Sequence, residues 1–224
     1  MTPYLLGIAG GMGPLAGVEL QRLIIEAMPA QRDQDHIPVL CYTNPQIPDR
    51  SLSLAEDGGT SYFAALRDTC NLLAKNGVTE IALPCNASHA RLDDLRASVP
   101  VPFIDMVLLT KEPAEQSGPC VLLAAPGTYS TSVYQSRGIA VTTPDEMIRS
   151  EVALAITEIK AGMLTAGTDR LEQAMATLSK ESSPTFILGC TERSLAHQQL
   201  SAQGYRLIDP LRLLAADIVR RARS

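Results

Sequence analysis

Aromatic residues are scarce in this chain of 224 residues, and tryptophan is absent altogether. Only three phenylalanines and six tyrosines are present, although hydrophobic residues make up 46% of the sequence. The core must therefore be built from Leu, Ile, Val and Ala, which suits β-sheets covered by helices. A chain of this length forms either one large domain or two small ones.

A surplus of positive charge is also lacking, since the formal net charge is −5. The C-terminal run "RRARS" is short, so we expect neither nucleic acid nor a membrane as a partner. No apolar stretch reaches the roughly 18 residues of a membrane helix. The N-terminus "MTPYLLGIAGG" lacks the positive region of a signal peptide. These absences predict a cytoplasmic protein, and they remain compatible with a small anionic ligand.

Close cysteine pairs are lacking as well. The five cysteines are an odd number at scattered positions, so they do not form the pattern of a disulfide framework. We predict that Cys41, Cys70 and Cys120 pack in the core, because packing is the usual role of buried cysteine.

What the chain does contain is a regular alternation of short apolar runs with helix-like segments, which predicts an α/β fold with parallel sheets. The alternation occurs twice, and "YRLIDPL" near the end echoes "VPFIDMV" at mid-chain. We therefore predict two pseudo-symmetric lobes, each a small, mostly parallel sheet flanked by helices. The N-terminal lobe comprises residues 1–105 plus 205–224 and the C-terminal lobe residues 106–204. Ligands of open α/β sheets bind beyond the carboxyl ends of strands, so we place the active site in the cleft between the lobes.

Two apolar runs each deliver a cysteine at the end of a predicted strand. "IALPCNASH" places Cys85 there, and "TFILGCTE" places Cys190 there. A thiol on each face of a bound molecule suits a proton transfer with two acid–base groups, which inverts a carbon centre. A helix is predicted after each cysteine, and helix N-termini stabilise thiolates.

Several motifs together carry a family resemblance: "GIAGGMGPLA", "NPQIPDR", "PCNASH", "EIKAG" and "GCTE". Over nearly the whole chain and in this order, the sequence resembles the aspartate/glutamate racemase family, and within it the aspartate racemase branch. The resemblance implies two pseudo-symmetric α/β lobes and a cofactor-independent racemase. Its expected substrate is aspartate, with glutamate or another acidic amino acid as the alternative. The resemblance further implies that Cys85 and Cys190 are the catalytic acid and base. The family commonly forms homodimers, so a homodimer is expected.

The resemblance also implies residues that bind substrate. Arg50 of the "PDR" motif and Lys160 of "KAG" are expected to recognise the acidic substrate, and an arginine offers the planar fork that suits a carboxylate. The remaining expected contacts are Asn86, Thr191, Met12 and Thr128. Asn86 and Thr191 have a competing structural role as helix caps. Glu192 is expected to act structurally or behind the substrate-binding residues, and His89 either tunes a thiolate or packs.

The sequence departs from the family pattern at two places around the expected carboxylate pocket. Ala87 and Ser88 stand where the family has Thr and Ala, and Ala125 stands where the family tends to have Thr. Ser88 or Thr128 is a candidate replacement for the lost hydroxyl groups. The departures concern the identity of the substrate more than the mechanism.

Other interpretations of the same residues stay open. "GMGPLA" fits the G-x-G-x-x-A dinucleotide fingerprint, but Asn44 stands where an acid is required at the end of the second predicted strand. No spacing typical of a zinc site and no feature of a pyridoxal phosphate site is present. A hydantoin racemase, a cis–trans isomerase of a diacid, or a non-catalytic binding protein is also compatible. The predicted loop 44–59 carries Arg50, and we expect it to close over substrate.

Overall fold

The computed structural model describes residues 4–180 and 183–223 and divides the chain into two compact units. The first unit runs through Met106 and resumes at Leu211, and the second runs from Val107 to Pro210. The predicted domain limits at residues 1 and 224 lie outside the described residues.

The first unit is built on a parallel sheet of three strands, β1 (Leu6–Gly10), β2 (Val39–Thr43) and β3 (Glu80–Ala82). The order is β2-β1-β3, so the fully buried β1 is the central strand. The run "VPFID", predicted as a strand, contributes only a single parallel bridge between Phe103 and Ile81 of β3.

The second unit contains another parallel sheet of three strands, β4 (Cys120–Ala124), β5 (Thr185–Gly189) and β6 (Arg206–Ile208), in the order β4-β5-β6. The sequence assigned 205–210 to the first lobe. The structure differs, because β6 pairs with β5 from Thr185↔Arg206 to Ile187↔Ile208. The boundary therefore lies at Pro210, where the chain enters its last helix.

The two sheets share one internal strand order when their single bridges are included. In the second sheet a single parallel bridge joins Thr142 to Val121 of β4. Thr142 therefore lies beside β4 as β2 lies beside β1 in the first sheet. The bridge at Phe103 correspondingly lies beside β3, as β6 lies beside β5. The echo between "VPFID" and "YRLID" therefore reflects equivalent places in two similarly built sheets, and the predicted α/β fold with two parallel sheets is confirmed.

Ten α-helices lie in the described residues, and several short 3₁₀ helices accompany them. In chain order they are α1 (Pro14–Ala27), α2 (Arg50–Glu56), α3 (Thr60–Lys75), α4 (Leu92–Ser98), α5 (Lys111–Ser117), α6 (Pro126–Ser130), α7 (Glu146–Lys160), α8 (Leu164–Leu178), α9 (His197–Ala202) and α10 (Pro210–Ala222). None of the described helices is long and apolar enough to cross a bilayer.

The predicted loop 44–59 is in part a helix. The Asp49 carboxylate accepts hydrogen bonds from the backbone N–H groups of Ser51 and Leu52 at 2.9 and 3.0 Å, which caps α2. The motif "PDR" therefore contains a helix N-cap and places Arg50 on the first turn of α2.

The last helix returns to the first unit through a group of charged side chains. Arg221 on α10 donates to Glu80 on β3 at 2.8 Å, and Glu80 also accepts from the Tyr4 hydroxyl at 3.2 Å. Asp217 lies one turn earlier on α10 and accepts from Arg221. These contacts, together with the buried Leu211, Leu214 and Ile218, explain why α10 belongs with the first sheet.

Candidate active site

The carboxyl ends of β1 and β3 lie at the same edge of the first sheet because the strands are parallel. Met12 follows β1 by two residues, and Cys85 follows β3 by three. Both are buried, at 3% and 6% exposure, and both belong to one hydrophobic cluster with Ile47, Tyr62 and Ala87. The structure therefore brings two of the predicted site residues together within this unit.

The backbone at Cys85 is fixed from two sides. The Ser88 hydroxyl and the Nδ1 atom of His89 each lie 2.8 Å from the Cys85 carbonyl oxygen. The Nε2 atom of His89 accepts from the Met106 backbone N–H at 3.1 Å, so Nδ1 carries the proton and donates to Cys85. His89 thus orients Cys85 through the backbone, and the Ser88 hydroxyl serves the same carbonyl.

Arg50 is buried at 8% exposure, which is unusual for an arginine. Its Nη1 atom donates to the carbonyl oxygens of Ile47 and Pro48 at 3.4 and 2.9 Å. Its charge also acts on the Tyr62 hydroxyl, as would the charge of a Cys85 thiolate. Arg50 and Cys85 therefore both lie within electrostatic reach of one buried tyrosine.

Tyr62 is a residue whose candidate role the sequence did not indicate, because its helical spacing marks it only as core. It is fully buried, and its hydroxyl has no hydrogen-bond partner among the described residues. Burial raises the pKa of this hydroxyl, and the negative charge of a Cys85 thiolate raises it further. Asn86, next to Cys85, is buried at 2% exposure, and its side chain does not cap the following 3₁₀ helix Ala87–Arg91.

In the second unit the carboxyl ends of β4 and β5 likewise share an edge. Thr128 lies on α6 just beyond β4, and Cys190 and Thr191 follow β5 directly. All three are buried, at 1%, 7% and 3% exposure. The Thr128 hydroxyl has no hydrogen-bond partner among the described residues.

The Cys190 thiol is engaged by a carboxylate. Its Sγ–H donates to Oε2 of Glu192 at 2.9 Å, and the other oxygen, Oε1, lies 3.8 Å from the Lys160 ammonium. Lys160 is the last residue of α7, whose position is set by close packing on α8. A Cβ atom added at Gly167 of α8 would lie 2.7 Å from the Ala155 carbonyl oxygen, so the two helices approach as only glycine permits.

The expectation that a helix N-terminus stabilises a Cys190 thiolate is wrong for this structure. Only a short 3₁₀ helix, Thr191–Ala196, follows the cysteine. Burial raises the pKa of the Cys190 thiol well above its usual range, and the Glu192 carboxylate raises it further. Arg193 and Lys160 act in the opposite direction. Cys190 therefore stands as a protonated thiol that is ready to donate.

Arg193 is the second candidate residue that the sequence did not indicate. It is fully buried three residues after Cys190, and its backbone N–H donates to the Cys190 carbonyl oxygen at 3.1 Å. Its guanidinium acts electrostatically on the Cys190 thiol. A single arginine after "GCTE" gives no signal in the sequence, because arginines are rarely buried. Among the described residues, no group of three or more His, Cys, Asp or Glu side chains forms a candidate metal site.

Comparisons with known proteins agree with this architecture. The profile of the Asp/Glu/Hydantoin racemase family matches residues 9–218. The structure of an aspartate racemase from Picrophilus torridus superposes with a TM-score of 0.85 and 26% identity, covering 98% of this chain and 94% of that one. An aspartate racemase homologue from Pyrococcus horikoshii shares the fold at a TM-score of 0.75 and 20% identity, with both chains fully covered.

A curated relative from Bacillus subtilis, the broad specificity amino-acid racemase RacX, is 28% identical over 138 residues. That match spans 58% of this chain and 59% of the relative, which is less than two thirds of its length. Because the family profile covers nearly the whole chain, the protein belongs to the Asp/Glu/Hydantoin racemase family.

Proposed function

We propose that the protein is a cofactor-independent amino-acid racemase that inverts the α-carbon of aspartate. The observation that carries the proposal is the equivalent position of two buried thiols. Cys85 follows β3 and Cys190 follows β5, and these strands hold the same place in two sheets of the same order. Family membership supports the assignment to racemisation.

In the proposed reaction one cysteine is a thiolate and the other a thiol. The thiolate sulfur takes the α-proton, so that an S–H bond forms as the Cα–H bond breaks and the electron pair stays on the substrate. The other thiol then gives its proton to the opposite face of the same carbon and becomes a thiolate. Two proton transfers therefore invert the centre without an oxidant or a cofactor. The protonated state of Cys190 fits the donor in one direction of this cycle.

Two cations support an acidic amino acid as substrate. Arg50 is buried, and within residues 4–180 and 183–223 its contacts to backbone carbonyls are made by Nη1, so the rest of its fork suits a carboxylate. Lys160 provides a second positive charge near Cys190 through its pairing with Glu192. Cations near the substrate carboxylates also spread the negative charge that develops in the transition state. Asn86, Thr191, Met12 and Thr128 complete the proposed contacts.

A wider substrate range is the second candidate. Ala87 and Ala125 offer no hydroxyl, and the Ser88 hydroxyl is already bound to the Cys85 carbonyl. Of the two candidate replacements, Thr128 alone keeps its hydroxyl without a partner among the described residues. The Bacillus subtilis relative is named a broad specificity amino-acid racemase, which points the same way. A hydantoin racemase or a diacid isomerase would use the same two thiols.

The test is proton NMR of the purified protein in heavy water with L-aspartate and, separately, with D-aspartate. We expect loss of the α-proton signal and formation of the opposite enantiomer. Cys85→Ser and Cys190→Ser should each abolish interconversion. The matched control is Cys41→Ala, a half-buried cysteine on β2, and it should retain activity.

Two results would redirect the proposal. Exchange with several amino acids but slow exchange with aspartate would favour the broad-specificity candidate. No exchange with any amino acid, hydantoin or diacid would overturn racemisation and leave a binding protein.

A further inference from the structure

Arg193 is a buried cation whose positive charge needs a compensating partner. It is 0% exposed, and its Nε, Nη1 and Nη2 atoms all lack a hydrogen-bond partner among residues 4–180 and 183–223. A guanidinium stays protonated under ordinary conditions, and an isolated buried cation is strongly unfavourable. Burial accordingly lowers the pKa of Arg193 from its ordinary value. A cation in this position requires a compensating negative charge in at least one state of the protein.

Few groups around Arg193 can supply that charge. The groups with the largest electrostatic effect on it are Cys190, Tyr129, Glu192 and Tyr134. The buried Asp209 carboxylate, which like Arg193 acts on Tyr134, already accepts from the Ser194 hydroxyl at 2.6 Å and lies 3.1 Å from Nδ1 of His197. Burial raises the pKa of both tyrosines, so their hydroxyls stay neutral. The Glu192 carboxylate is already shared between the Cys190 thiol and the Lys160 ammonium. Cys190 remains as the neighbour whose charge must change during the proposed reaction.

We infer that Arg193 is the buried counter-charge of the Cys190 thiolate and that it acts opposite Glu192, which holds the proton on the thiol. The inference rests on the proposed function, because racemisation requires Cys190 to exist in both forms. Arg193 is thus a positioning residue that acts through Cys190 without touching substrate. The pair of opposed charges, one residue apart in sequence, sets the balance between thiol and thiolate.

The geometry explains why both charges are needed. Burial and the Glu192 carboxylate favour the thiol, so Cys190 would be too weak a base if they acted alone. Lys160 also opposes them, but it is partly exposed, with 36% of its side chain accessible. Arg193 is fully buried, so its field on Cys190 is screened least by water. The other charged and titratable groups with the largest electrostatic coupling to Cys190 are Glu192, Lys160, Tyr129 and Tyr134.

The test measures the ionisation of Cys190 directly. The rate of alkylation of Cys190 by iodoacetamide is followed by mass spectrometry as a function of pH, which requires no turnover. Arg193→Met should raise the pH midpoint of alkylation by about one unit or more. Arg193→Lys, which keeps the charge, should restore most of the shift, and Glu192→Gln should lower the midpoint.

Arg149→Met is the matched control. Arg149 and Arg193 both act on Tyr129, whereas the charges with the largest effect on Cys190 are those of Glu192, Arg193 and Lys160. This variant should leave the midpoint of Cys190 unchanged. If Arg193→Met fails to give native circular dichroism, Arg193→Gln, which keeps hydrogen-bond donors without the charge, takes its place with the same expected shift.

The outcomes separate this inference from the proposed function. An unchanged midpoint in folded Arg193→Met or Arg193→Gln would overturn the counter-charge, whatever the activity of the wild type. A raised midpoint in a protein that exchanges no substrate would support the counter-charge and count against racemisation. If both hold, the pH profile of α-proton exchange should move upward in the variant. The shift in kcat/KM for interconversion should be equal for both enantiomers, because the ratio of the two kcat/KM values equals the equilibrium constant of a racemisation, which is one.

Discussion

The Cys190 thiol donates a hydrogen bond to the Glu192 carboxylate across 2.9 Å, two residues along the chain. This contact orients the sulfur and keeps its proton in place, since a nearby negative charge disfavours the thiolate. The same carboxylate lies 3.8 Å from Lys160 at the end of α7. Displacement of Lys160 toward a substrate carboxylate would therefore alter the charge that Cys190 experiences. If Lys160 binds substrate as proposed, substrate binding is therefore coupled to ionisation of the Cys190 thiol.

The turn after β1 provides a stability prediction. Gly11 has φ of +101°, and an added Cβ would lie 2.2 Å from the Asn44 carbonyl oxygen. We expect Gly11→Ala to lower the free energy of unfolding by at least about 3 kcal/mol, from the backbone strain and the clash together. Gly58 is the matched control, because its φ is +67° but nothing lies within 4 Å of its added Cβ.

Gly58→Ala should therefore cost only about 1 kcal/mol, from backbone strain alone. Urea unfolding of both variants measures the two free energies. Equal losses would show that Asn44 moves aside and that the close approach is not a constraint.

The cap of α2 provides the second prediction. Asp49→Ala removes the acceptor of two backbone hydrogen bonds and should cost about 1 kcal/mol of stability. Because Arg50 is the first residue of α2, the KM for an acidic substrate should rise as well. Asp145→Ala is the control, since Asp145 caps α7 by accepting from the Ile148 N–H at 2.9 Å. It should cost similar stability and leave KM unchanged. A rise in KM in both variants would point to a general loss of structure.

Asp57 provides a prediction of acid dependence. Hydrogen bonds from Ser53 and Ser61 lower the pKa of this carboxyl from 3.8 to about 2, and Asp57 also accepts from the Thr60 N–H at the start of α3. A depressed folded-state pKa means that the carboxylate stabilises the fold above pH 3.8, and this contribution is lost as the pH falls toward 2. Asp57→Asn should therefore flatten the acid limb of the stability curve. Ser53→Ala should flatten it in part, and unchanged curves for both would contradict the prediction.

Cys70 provides a prediction of how stability changes at alkaline pH. Burial in the hydrophobic cluster raises the pKa of its thiol from 9.0 to about 12. Below pH 9 the Cys70 thiol is neutral in both the folded and the unfolded chain, so it does not affect stability. Between pH 9 and 12 the thiol ionises only in the unfolded chain, so the free energy of unfolding falls as the pH rises. Above pH 9 the wild type should lose up to about 1.4 kcal/mol per pH unit more than Cys70→Ala. Urea unfolding under reducing conditions at several pH values tests this, and parallel curves would contradict it.

The sequence predicted much of the fold, because its signals were local. Helix α3 (Thr60–Lys75) follows from the helical spacing of its apolar residues. The strands before Cys85 and Cys190 follow from short apolar runs. The placement of β6 depends on pairing with β5, a long-range contact that no local pattern encodes. Helix α2 was missed, although Asp49 ahead of "RSLSLAE" is a recognisable N-cap.

The candidate site, like the fold, has features that the sequence predicts and features that it does not. Cys85 and Cys190 are visible in the sequence because each ends a strand. The environment of each thiol is not visible in the sequence, since it depends on burial and on side chains brought in by packing. The full burial of Arg193 is contrary to the usual preference of arginine, and the unpartnered hydroxyl of Tyr62 is hidden in an ordinary core stripe. Departures of this kind are expected at functional or strained sites.

The two candidate hydroxyl replacements, Thr128 and Ser88, can be separated by mutation. The Ser88 hydroxyl donates to the Cys85 carbonyl, so Ser88→Ala should cost about 1 kcal/mol of stability. Thr128→Val removes a buried hydroxyl that has no partner among the described residues, so its stability should be unchanged or slightly increased. If Thr128 contacts the substrate, the KM of Thr128→Val for the acidic amino acid should rise roughly fivefold or more, the equivalent of one hydrogen bond. Steady-state kinetics with thermal melts of both variants measures the two effects. An unchanged KM in Thr128→Val would remove Thr128 from the substrate contacts and leave the carboxylate pocket without a hydroxyl from either position.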